Sequence, residues 1–252
     1  MLRRLGTAAA LLAALSGCAA ETKLLQADRQ FTPAELRTGG LAVVGVVEKE
    51  EVEQVRPPLI AALESVLRQE RPDLALVPAD SVRAVLGAAA YRRMLNTYQT
   101  GGTIDSMSIR ALGEALHGAV RYGVVARVVS NATRTSRRAV EPGDSAGYRL
   151  VTTVLVMGRD ARVAIQVYDL RVGTPVYDAQ FVGSSEASGF GPAPAQGPFS
   201  PTSPVARDVP GRPRPEDLPS REDEGAPGPP DLAHALEEAF QSFARSLPRA
   251  GT

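Results

Sequence analysis

The residue with the most distinctive chemistry in this 252-residue chain is its only cysteine, Cys18. It follows two cationic residues, Arg3 and Arg4, and an uncharged, mostly apolar run over residues 5–15. A positive start, an apolar run and small residues before a cut site are the layout of a secretory signal. The run is well short of the roughly 20 residues that a membrane-spanning helix needs. We therefore predict that residues 1–17 form a cleaved export signal.

The four residues Leu15-Ser16-Gly17-Cys18 resemble the lipobox of bacterial lipoproteins, Leu-(Ala/Ser)-(Gly/Ala)-Cys. The resemblance implies a diacylglycerol on the Cys18 sulfur, cleavage between Gly17 and Cys18, and acylation of the new amino terminus. Two or more fatty chains hold a protein stably at a membrane, at about 0.8 kcal/mol per buried methylene. The alternative is an incidental cysteine in an ordinary export signal. Ala19 favours the outer membrane, since enteric lipoproteins retained at the inner membrane tend to carry Asp there.

Charge and cysteine content limit the classes of partner. The chain has 28 basic and 28 acidic residues, and the signal takes two arginines with it, which leaves 26 against 28, a net charge of −2. A near-neutral chain has no field to attract nucleic acid, so we expect no nucleic-acid partner. With Cys18 occupied by lipid, neither a disulfide nor a cysteine metal site can form. The fold must therefore be held by packing alone.

Residues that could support catalysis or metal binding are few. His117 is predicted to end a helix before Gly118, and His234 falls on the polar side of the last helix. Neither belongs to a His-x-x-x-His or Glu-x-x-His metal pattern, so both are expected at the surface. The sequence also lacks a Gly-x-Ser-x-Gly elbow, a Ser-x-x-Lys pair and a phosphate-binding Gly-x-x-x-x-Gly-Lys loop. We predict no catalytic residue, no metal ligand and no cofactor, and hence no enzymatic activity.

Two charge clusters have alternative interpretations. The acidic segment from Glu48 to Glu53 could bind a divalent cation weakly, or it could be a solvated loop. The solvated loop is favoured, because calcium-binding loops need ligands at fixed spacing. Arg134, Arg137 and Arg138 form a basic patch on a predicted loop. They could contact a lipid phosphate or lipopolysaccharide, or be solvated. Both clusters are expected on the surface in either case.

Hydrophobic periodicity predicts two strand–helix units in the first half of the chain. The β-branched run from Leu41 to Val47 is typical of a strand buried on both faces. Apolar residues from Leu59 to Leu67 then recur at helical spacing behind two first-turn prolines. A second short strand, Leu74 to Val77, leads into a helix that opens near Asp80. Gly87 is expected to interrupt that helix, and the pair at 101–102 to end it.

The second half changes to an extended pattern and then returns to helix. Strand signals cover residues 119–130, 148–157, 162–169 and 175–185, with a loop at 131–147 and a tight hairpin at 169–174. The closing segment carries one apolar stripe in an otherwise polar helix, which must cover the sheet. That stripe comprises Leu232, Leu236, Phe240, Phe243 and Leu247.

These elements predict an α/β (α+β) fold: βαβα units, then a β-meander, then a carboxyl-terminal helix packed on a mixed sheet. Residues 1–17 are the signal, and 18–39 are the lipidated cysteine and a polar tether. Residues 40–186 form the α/β domain. The Pro- and Gly-rich stretch 187–230 cannot bury enough apolar area to offset its ordering entropy and is predicted to be a disordered insert. Residues 231–247 form the helix that packs back on the domain.

This order of elements resembles the TolB amino-terminal domain and the curli-secretion lipoprotein, which belongs to the same broad fold group. The run Leu112-Gly113-Glu114-Ala115-Leu116-His117-Gly118-Ala119-Val120-Arg121-Tyr122 resembles the helix-to-strand passage of that family. The run Val167-Tyr168-Asp169-Leu170-Arg171-Val172-Gly173-Thr174-Pro175-Val176-Tyr177 resembles its hairpin, with Tyr177 where many relatives have Trp. The resemblance covers roughly residues 40–185 and implies a periplasmic lipoprotein.

The sequence thus favours a non-enzymatic binding or assembly module of the cell envelope. It would be held by lipid on Cys18 at the periplasmic face of the outer membrane, in preference to the inner membrane, and would dock an envelope protein. One alternative is a component of an oligomeric secretion or transport complex, although only the segment Leu150 to Gly158 offers an amphipathic strand, without a clear mate. A less favoured alternative is a hydrolase of envelope glycans or peptides. The pattern leaves the oligomeric state open.

Overall fold

The computed structural model describes residues 22–49, 57–140, 152–190 and 227–249. It confirms the predicted mixed α/β class, with a six-stranded sheet and helices on both of its faces. The elements in chain order are β1 (Thr22–Ala27), α1 (Pro33–Gly39), β2 (Leu41–Glu48), α2 (Pro57–Glu70), β3 (Leu76–Val77), α3 (Ala79–Leu86), α4 (Ala88–Gly101), α5 (Ser106–Ala115), β4 (Tyr122–Val140), β5 (Thr152–Asp169), β6 (Thr174–Phe190) and α6 (Leu232–Ser246).

The strand order across the sheet is β1-β6-β5-β4-β2-β3. The strands β3 and β4 each pair parallel with β2, and the chain crosses between these strands through helices. The strands β4, β5, β6 and β1 pair antiparallel. The predicted βαβα units and the β-meander are therefore both present, joined in one mixed sheet whose two edges are β1 and β3.

One face of the sheet is covered by α2 and α6. Phe240 and Phe243 of α6 are fully buried, and Phe243 lies 6.0 Å from Tyr177 and 5.9 Å from Phe181, both on β6, between ring centroids. The helix approaches β6 so closely that a Cβ on Gly183 would lie 2.1 Å from the carbonyl oxygen of Ala235. The predicted packing of the closing helix on the sheet is confirmed, and it depends on a glycine in the strand beneath.

The other face is covered by α3, α4 and α5. All eight residues of β2 are buried, as the run from Leu41 to Val47 predicts, because both of its faces meet a helical layer. Gly87 separates α3 from α4 with a φ of 75°, and Gly102 ends α4 with a φ of 74°, so both predicted glycine breaks are found. The cap of α5 is Asp105, whose carboxylate accepts a hydrogen bond from the Ser108 backbone N–H at 2.8 Å.

Three predicted boundaries are wrong. The tether predicted over 18–39 contains β1, which pairs with β6, and α1, capped by Thr32. The loop predicted at 131–147 is strand as far as residue 140, because β4 stays paired with β5 over its whole length. The insert predicted to start at 187 begins no earlier than 191, since β6 runs to residue 190. Residues 191–226, the bulk of that predicted insert, lie outside the described residues.

Ion pairs fix the end of α6 to the end of α2. Arg245 donates to both carboxylate oxygens of Glu70, at 2.6 and 3.1 Å, and this lowers the pKa of Glu70 below its ordinary value of 4.5. The guanidinium of Arg71 is 2% exposed, donates to both oxygens of Asp73 at 2.9 and 3.0 Å, and also reaches the carbonyl of Pro248. Arg71 in the same way lowers the pKa of Asp73 below 3.8.

These lowered carboxyl pKa values predict a loss of stability in acid. A carboxyl whose pKa falls on folding stabilises the protein above its unfolded pKa and loses that contribution as the pH falls through the folded value. We therefore expect the urea midpoint to stay level from pH 7 to about pH 5 and to decline below that. The Arg245→Ala variant should show a shallower decline than the Arg68→Ala control, which removes the separate Arg68–Glu64 pair. Equal declines would contradict the assignment.

Candidate binding surface and anchor

The predicted lipidation site, Cys18, and the predicted cleavage point after Gly17 lie outside the described residues. The described part of the chain starts at Thr22, the first residue of β1. Three residues therefore separate Cys18 from a paired strand of the sheet. A chain spans at most about 3.6 Å per residue, so the Cα atoms of Cys18 and Thr22 can be no more than about 14 Å apart. A lipid on Cys18 would therefore lie next to the folded domain.

The far ends of three strands extend past β1 and β2. β2 ends at Glu48, opposite Val128, and β1 begins opposite Phe181. Beyond those points β4, β5 and β6 have only each other as neighbouring strands among the described elements, and we name residues 130–140, 152–160 and 184–190 the three-strand extension. Its residues on β4 are exposed from Ser130 to Arg138. In the extension the segment near Leu155 pairs with β4 on one side and β6 on the other. The sequence alone does not reveal these two partner strands.

The three arginines predicted on a loop lie instead on β4 of the extension. Side chains alternate along a strand, so Arg134 and Arg138 share one face and Arg137 projects from the other. Arg134 pairs with Asp160 at 3.1 Å and with Glu186 at 2.7 Å, which joins all three strands. The predicted basic patch is therefore divided between two faces, and one of its members is already neutralised.

Glu48 does not belong to a solvated acidic loop. It is the last residue of β2 and only 8% exposed, and its Oε1 accepts a hydrogen bond from Asn131 Nδ2 at 3.2 Å. The Asn131 side-chain oxygen in turn accepts a hydrogen bond from Arg159 at 2.7 Å. Arg159 also donates to the Pro230 carbonyl at 2.6 Å. Glu48 and Asn131 line an open notch of about 470 Å³ where β2 ends and β4 continues. The other acidic residues of this cluster, at positions 50, 51 and 53, lie outside the described residues.

The two histidines are both on the surface, as predicted. His117 follows α5 with a φ of 50°, and His234 is 72% exposed on α6, 3.6 Å from the Glu237 carboxylate. Among the residues that the structure describes, no three His, Cys, Asp or Glu side chains lie close enough together to hold a metal ion. The described part of the chain therefore offers no metal centre around either histidine.

The buried phenols serve the fold. Tyr91 donates to the Val44 carbonyl at 2.8 Å, and burial raises its pKa to about 12. Tyr168 donates to Gln166 at 2.7 Å and accepts from the Ile104 N–H at 3.0 Å, and burial raises its pKa as well. A phenol with a raised pKa stays protonated at neutral pH and acts as a hydrogen-bond donor. These hydroxyls join α4 and the segment before α5 to the sheet.

The two motifs that resemble the TolB-like family contact each other. A Cβ on Gly113 in α5 would lie 2.7 Å from the Leu170 carbonyl oxygen at the β5–β6 turn. Arg110 donates to the Val172 carbonyl at 3.2 Å, and a Cβ on Gly173, whose φ is 81°, would lie 2.7 Å from the Ser106 carbonyl. The motif glycines therefore allow the close approach of a helix to a turn.

The acidic residue of the hairpin motif has a structural role of the same kind. Asp169 accepts from Arg121 Nε at 2.8 Å and from the Arg171 N–H at 2.9 Å. Arg121 also pairs with Glu35 of α1 and lies over the Tyr122 ring, 5.2 Å from its centroid. A carboxylate held by these donors orders the turn and the start of β4. It contributes to the packing of the hairpin against α1 and β4.

The Gly113→Ala variant should lose stability because its new methyl group would meet a backbone carbonyl that cannot move freely. We expect a cost of about 1–3 kcal/mol in the free energy of unfolding. Gly101→Ala is the matched control, since a Cβ there would meet no atom within 4 Å apart from its own helix backbone and chain neighbours, and alanine favours a helix. Urea titrations of both variants test this, and equal midpoints would contradict the close packing.

The fold and surface define a mixed α/β protein with helices on both faces of its sheet and a three-strand extension beyond the helical layers. No helix in the described ranges is both long and apolar enough to cross a membrane. No protein-family model matches the sequence, and neither does any curated protein.

Solved structures similar to the fold include the following two. One is a PelC dodecamer from Paraburkholderia phytofirmans, at 13% identity and a TM-score of 0.30, over 66% of this chain and 82% of that one. The other is the lipoprotein GNA1162 from Neisseria meningitidis, also at 13% identity and a TM-score of 0.30, over 59% of this chain and 84% of that one. The function must follow from this chain's own residues.

Proposed function

We propose that this protein is a periplasm-facing, membrane-anchored lipoprotein that acts as a non-enzymatic binding or assembly module of the cell envelope. The observation that carries the proposal is the lipobox-type sequence ending at Cys18, three residues before the first strand of a folded domain. Acylation there holds the domain within a thin layer at the bilayer, which raises its encounters with other envelope proteins. Ala19 directs it to the outer membrane in preference to the inner one.

The buried polar groups discussed above are engaged in contacts within the fold. The Tyr91 and Tyr168 hydroxyls, the Asp169 carboxylate and Arg121 hold helices and turns against the sheet. General acid–base catalysis needs a titratable group within reach of a substrate in a cleft. The notch beside Glu48 is open, and its carboxylate bonds to Asn131.

The partner surface that we propose is the outer edge of β4 in the three-strand extension. β2 ends at Glu48, so the N–H and C=O groups of β4 that point away from β5 after Val128 have no neighbouring strand among the described elements. Such an edge accepts an extended segment of another protein by strand addition, in which main-chain hydrogen bonds supply affinity. Exposed Ser136 lies in the middle of this edge.

Crosslinking in cells tests the binding proposal. A photoreactive residue at Ser136, on the extension edge, should capture an envelope protein, whereas the same residue at Arg92, exposed on α4, should not. The Ser136 product should disappear when Cys18 is also replaced by alanine, because the anchor sets the local concentration. Equal products from both positions, or a product that does not depend on Cys18, would contradict the proposal.

A second candidate is a component of an oligomeric outer-membrane secretion or transport complex. The three-strand extension favours it, because β4 and β6 give the apolar segment around Leu155 the paired neighbours that such a complex would require of it. Light scattering on the detergent-solubilised protein separates the candidates. A stable ring of copies would favour the complex, and a monomer would exclude it.

A further inference from the structure

Large exposed apolar side chains gather on the edge strand β1. Leu24 is 57% exposed and Leu25 is 49% exposed, and every residue of β1 is exposed. The register between β1 and β6 shifts between Leu24 and Gln26, so Leu25 has no partner opposite it on β6. An edge strand with two exposed leucines is an aggregation hazard unless something covers it.

The distance to the proposed anchor identifies what covers this edge. Cys18 lies six residues before Leu24, so their Cα atoms are at most about 22 Å apart, and Thr22 is within about 14 Å of the cysteine. An acylated cysteine holds its sulfur at the boundary between head groups and acyl chains. Lys23, between the anchor and the leucines, is a cation whose long stem can lie along apolar surface while its ammonium reaches lipid phosphate.

We propose that the β1 edge rests on the bilayer that holds the Cys18 lipid, with Leu24 and Leu25 in the interfacial region and Lys23 at the phosphates. This inference rests on the proposed lipidation and adds a second contact to it. One lipid-bearing residue alone leaves the domain free to rotate about its tether, whereas a second contact fixes its orientation. The sheet then meets the membrane through one defined edge.

That orientation determines where the partner surface lies. β1 is at one edge of the sheet, and the open edge of β4 is separated from it by β6 and β5. Strands are spaced about 4.8 Å apart, so three spacings place the β4 edge about 14 Å further from the bilayer. The contact with lipid therefore leaves the partner surface exposed to the periplasm.

Single tryptophans test the contact, because the chain contains none. Leu25→Trp places the probe on β1, and Leu24→Trp is a second position. Val85→Trp is the matched control, since Val85 is 48% exposed on α3, which packs against β2, four strands and about 19 Å from β1. The full-length lipidated variants are reconstituted in vesicles of phosphatidylethanolamine and phosphatidylglycerol, with and without brominated phospholipid.

The tryptophan fluorescence of Leu25→Trp should move to shorter wavelength in vesicles and be quenched by the brominated lipid. The fluorescence of Val85→Trp should show neither the shift nor the quenching. Flotation of the same samples separates the two proposals. Protein that floats while Leu25→Trp and Leu24→Trp remain unquenched overturns this inference alone. Protein that does not float overturns the lipidation and this inference with it. A wavelength shift without quenching, in a sample that light scattering shows to be dimeric, assigns the edge to a second copy and also overturns the lipid contact.

Discussion

Replacing Cys18 with alanine is expected to abolish incorporation of labelled palmitate and to leave residues 1–17 attached to the protein. The thiol is the acceptor for the diacylglycerol that the lipobox resemblance implies, and cleavage at a lipobox follows that transfer. Without acyl chains the protein loses about 0.8 kcal/mol for each methylene that the bilayer would bury, which for two chains is the whole of a stable attachment. Palmitate labelling and the mass of the amino-terminal peptide measure the two effects.

The matched control is Ser16→Ala, which leaves a sequence that still fits the lipobox pattern. It should be labelled and cleaved like the native chain, because the second position of that pattern accepts either Ala or Ser. A Cys18→Ala protein that is still labelled would place the lipid elsewhere. A native chain that is never labelled would leave only an ordinary export signal and would remove the basis of the proposed function.

The second large effect is expected from Phe243→Ala, which should lower the free energy of unfolding by about 3–5 kcal/mol. The ring of Phe243 is fully buried against Tyr177 and Phe181, and it joins α6 to the middle of β6. Its removal leaves a cavity between the helix and the strand. Domains of this kind have a total stability of about 5–15 kcal/mol, so the loss is a large part of it.

A urea titration of the Phe243→Ala protein measures this loss, with Met107→Ala as the control. Met107 is 78% exposed on α5, so its replacement should change stability by no more than about 0.5 kcal/mol. Similar midpoints for both variants would mean that α6 is not part of the cooperative unit. The helix would then have to be regarded as a separate appendage.

The predicted elements succeed where the signal is local or strongly periodic. The run from Leu41 to Val47 is a buried strand, the helix behind the two prolines is α2, and Gly87 divides α3 from α4. In each case the required property belongs to the residues themselves: β-branching, apolar spacing of three and four, or a glycine at positive φ. Such signals can be interpreted before the partner surface is known.

The predictions fail for strands that have no apolar face and whose place is set by pairing with a neighbour. Residues 131–138 are polar with no apolar face, yet they continue β4 because β5 pairs with them along their whole length. Residues 22–27 lack the alternation of a half-buried strand, and they pair with β6 as an exposed edge. The tendency to form a strand depends on context, since a ladder needs only main-chain groups and a neighbour at the right distance.

The same contrast holds for the candidate site. The sequence by itself predicted the anchor, since Cys18 and its three predecessors form a contiguous pattern, and it determined the apolar stripe of α6. Only the tertiary structure decided that Arg134 is neutralised by Asp160 and Glu186, that the motif glycines serve helix-to-turn contact, and that Leu24 and Leu25 lie exposed at an edge near the anchor. The physical reason is that burial and pairing depend on neighbours far apart in sequence, whereas a modification motif depends on adjacent residues.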